Sequence, residues 1–148
     1  MAEKDHDISG VWLSTYSFVS GTDGSLMVTD HYVDIYRIGS QVIVQSIPAS
    51  NGSYMMARFS LDGRVLTGSY YSQTAASSEK KGPLYYDQGA AQLVISEDGK
   101  TLEGMGVGYT RTMEVKPSDW KLVYIGKDRP SQETLDTVRF REPVATDK

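Results

Sequence analysis

The sequence contains no cysteine. Disulfides, thiolate nucleophiles, iron–sulfur clusters and thiolate zinc sites are excluded with it. Histidine is nearly as scarce: His6 and His31 are the only two, too few for a histidine-rich metal centre. Basic charge is not in excess either. Fifteen Lys and Arg stand against nineteen Asp and Glu, a formal net charge of −4, which argues against nonspecific binding to nucleic acid. The longest uncharged run, residues 38–57, has the 20 residues that a bilayer-spanning helix needs. It also holds Gln41, Gln45, Pro48, Asn51 and several serines, whose polar groups would be stranded in lipid. The N-terminus, MAEKDHD, mixes acids with bases and has no apolar segment behind it, unlike a signal peptide. These absences predict a soluble, cytoplasmic protein with no cofactor, no metal, and no nucleic-acid or membrane partner. The length, 148 residues, suits one domain.

Helical periodicity is also missing between residues 8 and 125. Alternation of apolar and polar residues takes its place, with ten tyrosines and 14 glycines. Eight strands are predicted, over about 8–18, 30–38, 41–48, 53–61, 64–73, 84–96, 100–112 and 118–126. Tight turns are signalled at Gly39-Ser40, Asp62-Gly63 and Glu97-Asp98-Gly99. The other connections, 19–29, 48–52, 74–83 and 113–118, are longer. Tight and long connections therefore alternate along the chain. In an up-and-down meander this puts all tight turns at one end and all long loops at the other. The expected fold is all-β: an eight-stranded, up-and-down antiparallel barrel, lipocalin-like, with a sealed base and an open mouth. A two-sheet sandwich is the alternative, but it would need irregular crossovers.

The barrel domain is expected over residues 1–126 and a C-terminal tail over 127–148. In the tail, Ser131 could cap a short helix with Leu135 and Val138 on one face. An even number of strands returns both termini to the tight-turn end, so the tail is expected to lie away from the mouth.

Candidate site residues follow from the same geometry. They are the polar and aromatic residues in the strand halves next to the long loops: Tyr16, His31, Tyr54, Arg58, Tyr71, Tyr85, Asp87, Tyr109 and Arg111. Facing is fixed best in the strand over 84–96. Leu93 and Ile95 mark its inner face, which puts Gly89, Ala91 and Asp87 inside, and an inward carboxylate calls for a partner. A strand arginine such as Arg58 more often points to solvent. His31 is the one histidine outside the N-terminal segment, and hence the one general-base candidate. Gly104, Gly106 and Gly108 share one face of their strand. That face either seats an aromatic ring against the backbone or opens a cavity. No serine stands in a Gly-x-Ser-x-Gly elbow, and no catalytic residue can be named. Gly10-Val11-Trp12 at the start of the first strand has the lipocalin pattern, in which the indole plugs the closed end.

Several segments in order carry a wider resemblance. They are Gly10-Val11-Trp12-Leu13-Ser14 with Tyr16, His31-Tyr32-Val33, Ser46-Ile47-Pro48 with Gly52-Ser53, and Asp62-Gly63 followed by Thr67-Gly68. Gly89-Ala90 with Gln92-Leu93, Gly108-Tyr109 with Arg111, and Glu114-Val115 ahead of Trp120 complete the set. The stretch from Ser9 to Tyr124 resembles the calycin-like barrel domain that follows the helix-turn-helix of actinobacterial regulators. This chain carries no helix-turn-helix, and it has Gly106 where that family usually has a tryptophan, which would enlarge the interior. The resemblance names no ligand; the open mouth and the many tyrosines and methionines lead us to expect a barrel that takes a small organic ligand through its mouth. Fold analogy adds two alternatives. One is a cofactor-free cyclase of a polyketide-type pathway, closing pericyclic, spiro or ether rings; the other is a sensor of a nucleotide-type signal. Sequence leaves open whether binding is followed by chemistry, and whether the chain forms a homodimer.

Overall fold

The computed structural model describes residues 7–19, 26–47, 54–74, 85–109, 115–135 and 140–141. Eight antiparallel strands follow one another: β1 (Gly10–Val19), β2 (Leu26–Ile38), β3 (Gln41–Ser46), β4 (Tyr54–Asp62), β5 (Val65–Thr74), β6 (Tyr85–Ile95), β7 (Thr101–Tyr109) and β8 (Val115–Gly126). Each pairs with the next, and β1 pairs with both β2 and β8, so the sheet closes into a barrel. Strand β2 begins four residues earlier than its sequence suggests, because Leu26 to Thr29 pair with Tyr16 to Val19 of β1.

The three tight turns lie together at the base, where β1 starts and β8 ends. Gly39, Gly63 and Gly99 sit in them at φ of 63°, 63° and 74°, a left-handed conformation that costs glycine little. Strand alternation sends one residue in two inward. In the base half these are large and apolar: Trp12, Val33, Ile35, Val42, Val44, Phe59, Leu66, Leu93, Ile95, Leu102 and Leu122 are all buried in one cluster. Trp12 is fully buried, as its place at the start of the first strand predicts. Its indole N–H donates to the carbonyl of Ile8 at 2.9 Å, and its ring meets Tyr124 edge-on at 5.4 Å. The indole thus closes the base without leaving a buried donor unpaired.

The tail departs from expectation. Gly126 does end at the base, opposite Val11, but the chain then climbs the outer wall. Arg129 pairs with Asp34 at 2.7 Å. Ser131 caps helix α1 (Gln132–Leu135), its hydroxyl accepting from the Thr134 N–H at 3.2 Å. Leu135 is buried beside Val11 and Ile47, with Tyr32 packed against them. Strand β9 (Phe140–Arg141) then pairs with Val28 and Thr29 near the mouth end of β2. The cause is an unequal pair of strands. The β2–β3 ladder covers only Val33 to Ile38, so β2 keeps an open edge toward the mouth, and an open edge recruits a partner. Counting strands could not reveal this. Val138 lies outside the described residues.

Trp12→Ala should lower the unfolding free energy by about 3–5 kcal/mol, the usual cost of removing a fully buried large aromatic. Urea denaturation measures it; a loss under about 1 kcal/mol would mean that the base does not depend on the indole.

Candidate ligand site at the barrel mouth

Above the apolar base the interior turns aromatic. Trp120 of β8 is the hub, at 4% exposure. Its ring lies 6.0 Å from Phe59, 6.0 Å from Tyr70 and 6.4 Å from Tyr16. Its indole N–H donates to the Ser14 hydroxyl at 2.8 Å. Tyr16, Ser17, Met55, Tyr70, Gly106, Ser118 and Trp120 line a recess on the mouth side of this cluster. The space is small, about 20 Å³, enough for a water. The wall continues past it: β1 runs three residues beyond Tyr16, and β5 runs four beyond Tyr70. At roughly 3.3 Å per residue that is about 10 Å of further wall. The recess is the floor of the mouth.

The inward glycines allow close approach of neighbouring backbone, and two of them, Gly89 and Gly106, also seat a ring. A Cβ on Gly89 would meet the Tyr70 hydroxyl at 2.7 Å, and one on Gly106 would meet Tyr70 Cε2 at 3.2 Å. The Tyr70 ring therefore lies over both backbones, which is the first of the two uses the glycine face allows. What it leaves free beside Gly106 is the recess. The mid-barrel volume expected at Gly89 is filled by this ring.

His31 of β2 stands beside Ser14 in the ladder and is 4% exposed. Its ring lies 5.9 Å from Tyr16, tilted by 32°. Burial pushes its pKa down to about 4 from the ordinary 6.5, with the Asp30 carboxylate opposing the shift. The imidazole is neutral at pH 7. Its Nε2 is the one buried side-chain nitrogen or oxygen without a hydrogen-bond partner among the described residues.

Of the nine residues singled out in the sequence, Tyr16 and His31 come together inside. Three others stand on the outer face of their strands. Met55, Ala57 and Phe59 are the buried residues of β4, so Tyr54 and Arg58 point away from the core. The Tyr54 hydroxyl accepts from the Gln45 amide at 3.2 Å. Tyr71 is likewise exposed. Arg58 and Tyr71 meet in a groove of about 790 Å³ with Met56, Ser69 and Gln88, and the inward-facing Ala57, Tyr70, Gly89 and Gly108 also contribute to its wall. Larger as it is, the groove is more open to solvent than the recess, and a small molecule gains affinity where it is enclosed. The side chains of Tyr85, Asp87 and Tyr109, and the whole of Arg111, lie outside the described residues. The β5–β6 register sets Asp87 opposite Ser72.

The sequence reading missed Tyr70, Met55 and Ser118, and gave Trp120 no role in the site. Met55 was legible, since Ala57, Phe59 and Leu61 mark its face. The bond from Trp120 to Ser14 joins residues 106 apart in the chain and leaves no local trace. Among the described residues no three His, Asp or Glu side chains gather where they could hold a metal ion.

The His31 shift sets a pH dependence. Above pH 6.5 the ring is neutral whether the chain is folded or unfolded. Between pH 6.5 and about 4 the unfolded chain takes up a proton that the folded chain refuses. Stability should therefore fall across that window by up to about 3 kcal/mol, from a shift worth roughly 1.4 kcal/mol per unit. Denaturant titrations at pH 7 and pH 4 should show this loss in the native protein and a correspondingly smaller one in His31→Phe. Equal losses in the two proteins would contradict it. Comparison of the chain with family models and with curated proteins finds no match.

Proposed function

We propose that the protein is a small-molecule-binding barrel, whose organic ligand enters through the long-loop mouth and rests on the aromatic floor. The observation that carries this reading is the change of lining along the barrel axis. The base is filled with large apolar side chains, Trp12 and Phe59 among them, and the Trp12 indole N–H is paired. The mouth half presents aromatic rings to a recess. Tyr16, Tyr70 and Trp120 offer ring edges and faces to a planar ligand, and Met55 has the flexibility to widen the space for it.

Binding fits the chemistry of this floor better than catalysis does. His31, the one base candidate, has a pKa near 4, so it is a poor proton acceptor from substrate at pH 7. Ring closure in a cyclase, and recognition of a nucleotide-type signal, have no feature of the recess in their favour. A polyanionic ligand would need cations, and none of the described residues that line the floor is one. Asp87 and Tyr85 are proposed to line the wall above it, following the inward face that Leu93 and Ile95 define.

Gly106→Val tests the reading. The new side chain would project into the recess beside Tyr70 and Ser118, and valine suits a strand. Small aromatic compounds found to bind the native protein by ligand-detected NMR should bind the variant at least about tenfold more weakly, the effect of losing roughly 1.4 kcal/mol. Thermal stability reports that the barrel survives. Unchanged binding in a folded variant would place the site elsewhere.

A further inference from the structure

The outer wall of the barrel is not uniform. Eight large apolar side chains are exposed among the described residues, and six of them belong to β6, β7 and β8: Val94, Met105, Val107, Val115, Val123 and Ile125. Leu93, Leu102 and Leu122 are buried, so alternation turns Val94, Met105 and Val123 outward. Single exposed apolar residues need no explanation, but a group of them on one face marks a contact surface.

Charges stand within this face. Glu103 of β7 lies opposite Lys121 of β8 and opposite Val94 of β6. Asp119 is the next outward residue of β8, opposite Met105. All three charged residues are exposed. None of them is in an ion pair with a described residue, since the one such pair, Arg129 with Asp34, lies elsewhere.

A lysine flanked by two carboxylates can be complementary to its own face. Two-fold symmetry between identical faces lays each residue against a different residue of the same face. With the axis along the strands, between β7 and β8, Lys121 lies over Glu103 of the second copy, following the β7–β8 register. With the axis across the strands, between the rows of Lys121 and Asp119, Lys121 lies over Asp119 of the second copy. Each arrangement also sets Pro117 against a valine, Val107 in the first and Val123 in the second. We propose that this face docks a second copy of the chain, in a two-fold dimer where Lys121 of each copy meets a carboxylate of the other. The contact uses the outer wall alone, so it stands independently of the ligand reading.

Sedimentation equilibrium of the full chain tests the proposal. At high micromolar concentration the native protein should form a species of twice the 16.4 kDa chain mass. Val107→Lys and Lys121→Glu change exposed positions, so circular dichroism should stay native in both. Each should weaken self-association at least about tenfold, by setting an unpaired or like charge against the second copy. Lys121→Glu is then mixed with Glu103→Lys, and separately with Asp119→Lys. One of the two mixtures should form a dimer of two different chains, because reversed charges again oppose each other. The mixture that associates identifies the axis. A native chain that stays monomeric overturns the proposal and leaves the face to a different partner. A dimer that survives both Val107→Lys and Lys121→Glu overturns it by placing the contact on another face. Failure of both mixtures to associate overturns the pairing of Lys121 with a carboxylate of the second copy.

Discussion

The bond from the Trp120 indole to the Ser14 hydroxyl crosses the seam where the last barrel strand meets the first. Closure of an eight-stranded barrel joins segments over a hundred residues apart, and such long-range pairing is slow and entropically costly. The seam therefore needs interactions that only the closed form provides. Trp120 supplies them in quantity. It pairs in register with Tyr16, and its ring packs on Phe59 and Tyr70 from the opposite wall. One side chain thus ties β8 to β1 directly and to β4 and β5 through the core. It also divides the interior, with closely packed apolar side chains on one side and the recess on the other.

The small residues make sense in relation to these rings. A barrel this narrow is filled by its own side chains, and large aromatics fit only where the facing wall lacks Cβ atoms. Gly89 and Gly106 let the Tyr70 ring approach the backbone. Glycine weakens a strand when considered alone. Here the loss is offset by the contacts of a ring that could not otherwise lie flat. The same lack of a side chain at Gly106 leaves the remainder of the recess open, so packing and binding space have one origin.

The strand order, the three base turns and the buried Trp12 were all legible in the sequence, because each is a local signal. Alternation gives strands, glycine with aspartate or serine gives turns, and a tryptophan at the first strand's start lies beside the base. The facing of Arg58 was legible too. Ala57, Phe59 and Leu61 already mark the inner face of β4, and that alternation should outweigh the attraction of a charged group as a ligand handle. What could not be read depends on contacts distant in sequence. The glycine face has two uses, and only the position of Tyr70, thirty-six residues before Gly106, decides between them. The return of the tail to β2 depends on β3 being short, which is a relation between two strands and not a property of the tail.

The central claim is that a ligand rests inside, on the Trp120 floor, and not in the larger groove. Met55 and Met56 distinguish the two places, since consecutive strand residues face opposite ways. Met55 lines the recess and Met56 lines the groove. With the methionine methyl groups ¹³C-labelled, a bound aromatic compound should shift the Met55 resonance and show nuclear Overhauser contacts to it, with Met56 unmoved. Contacts to Met56 with Met55 unmoved would contradict the account and assign binding to the outer face of β4.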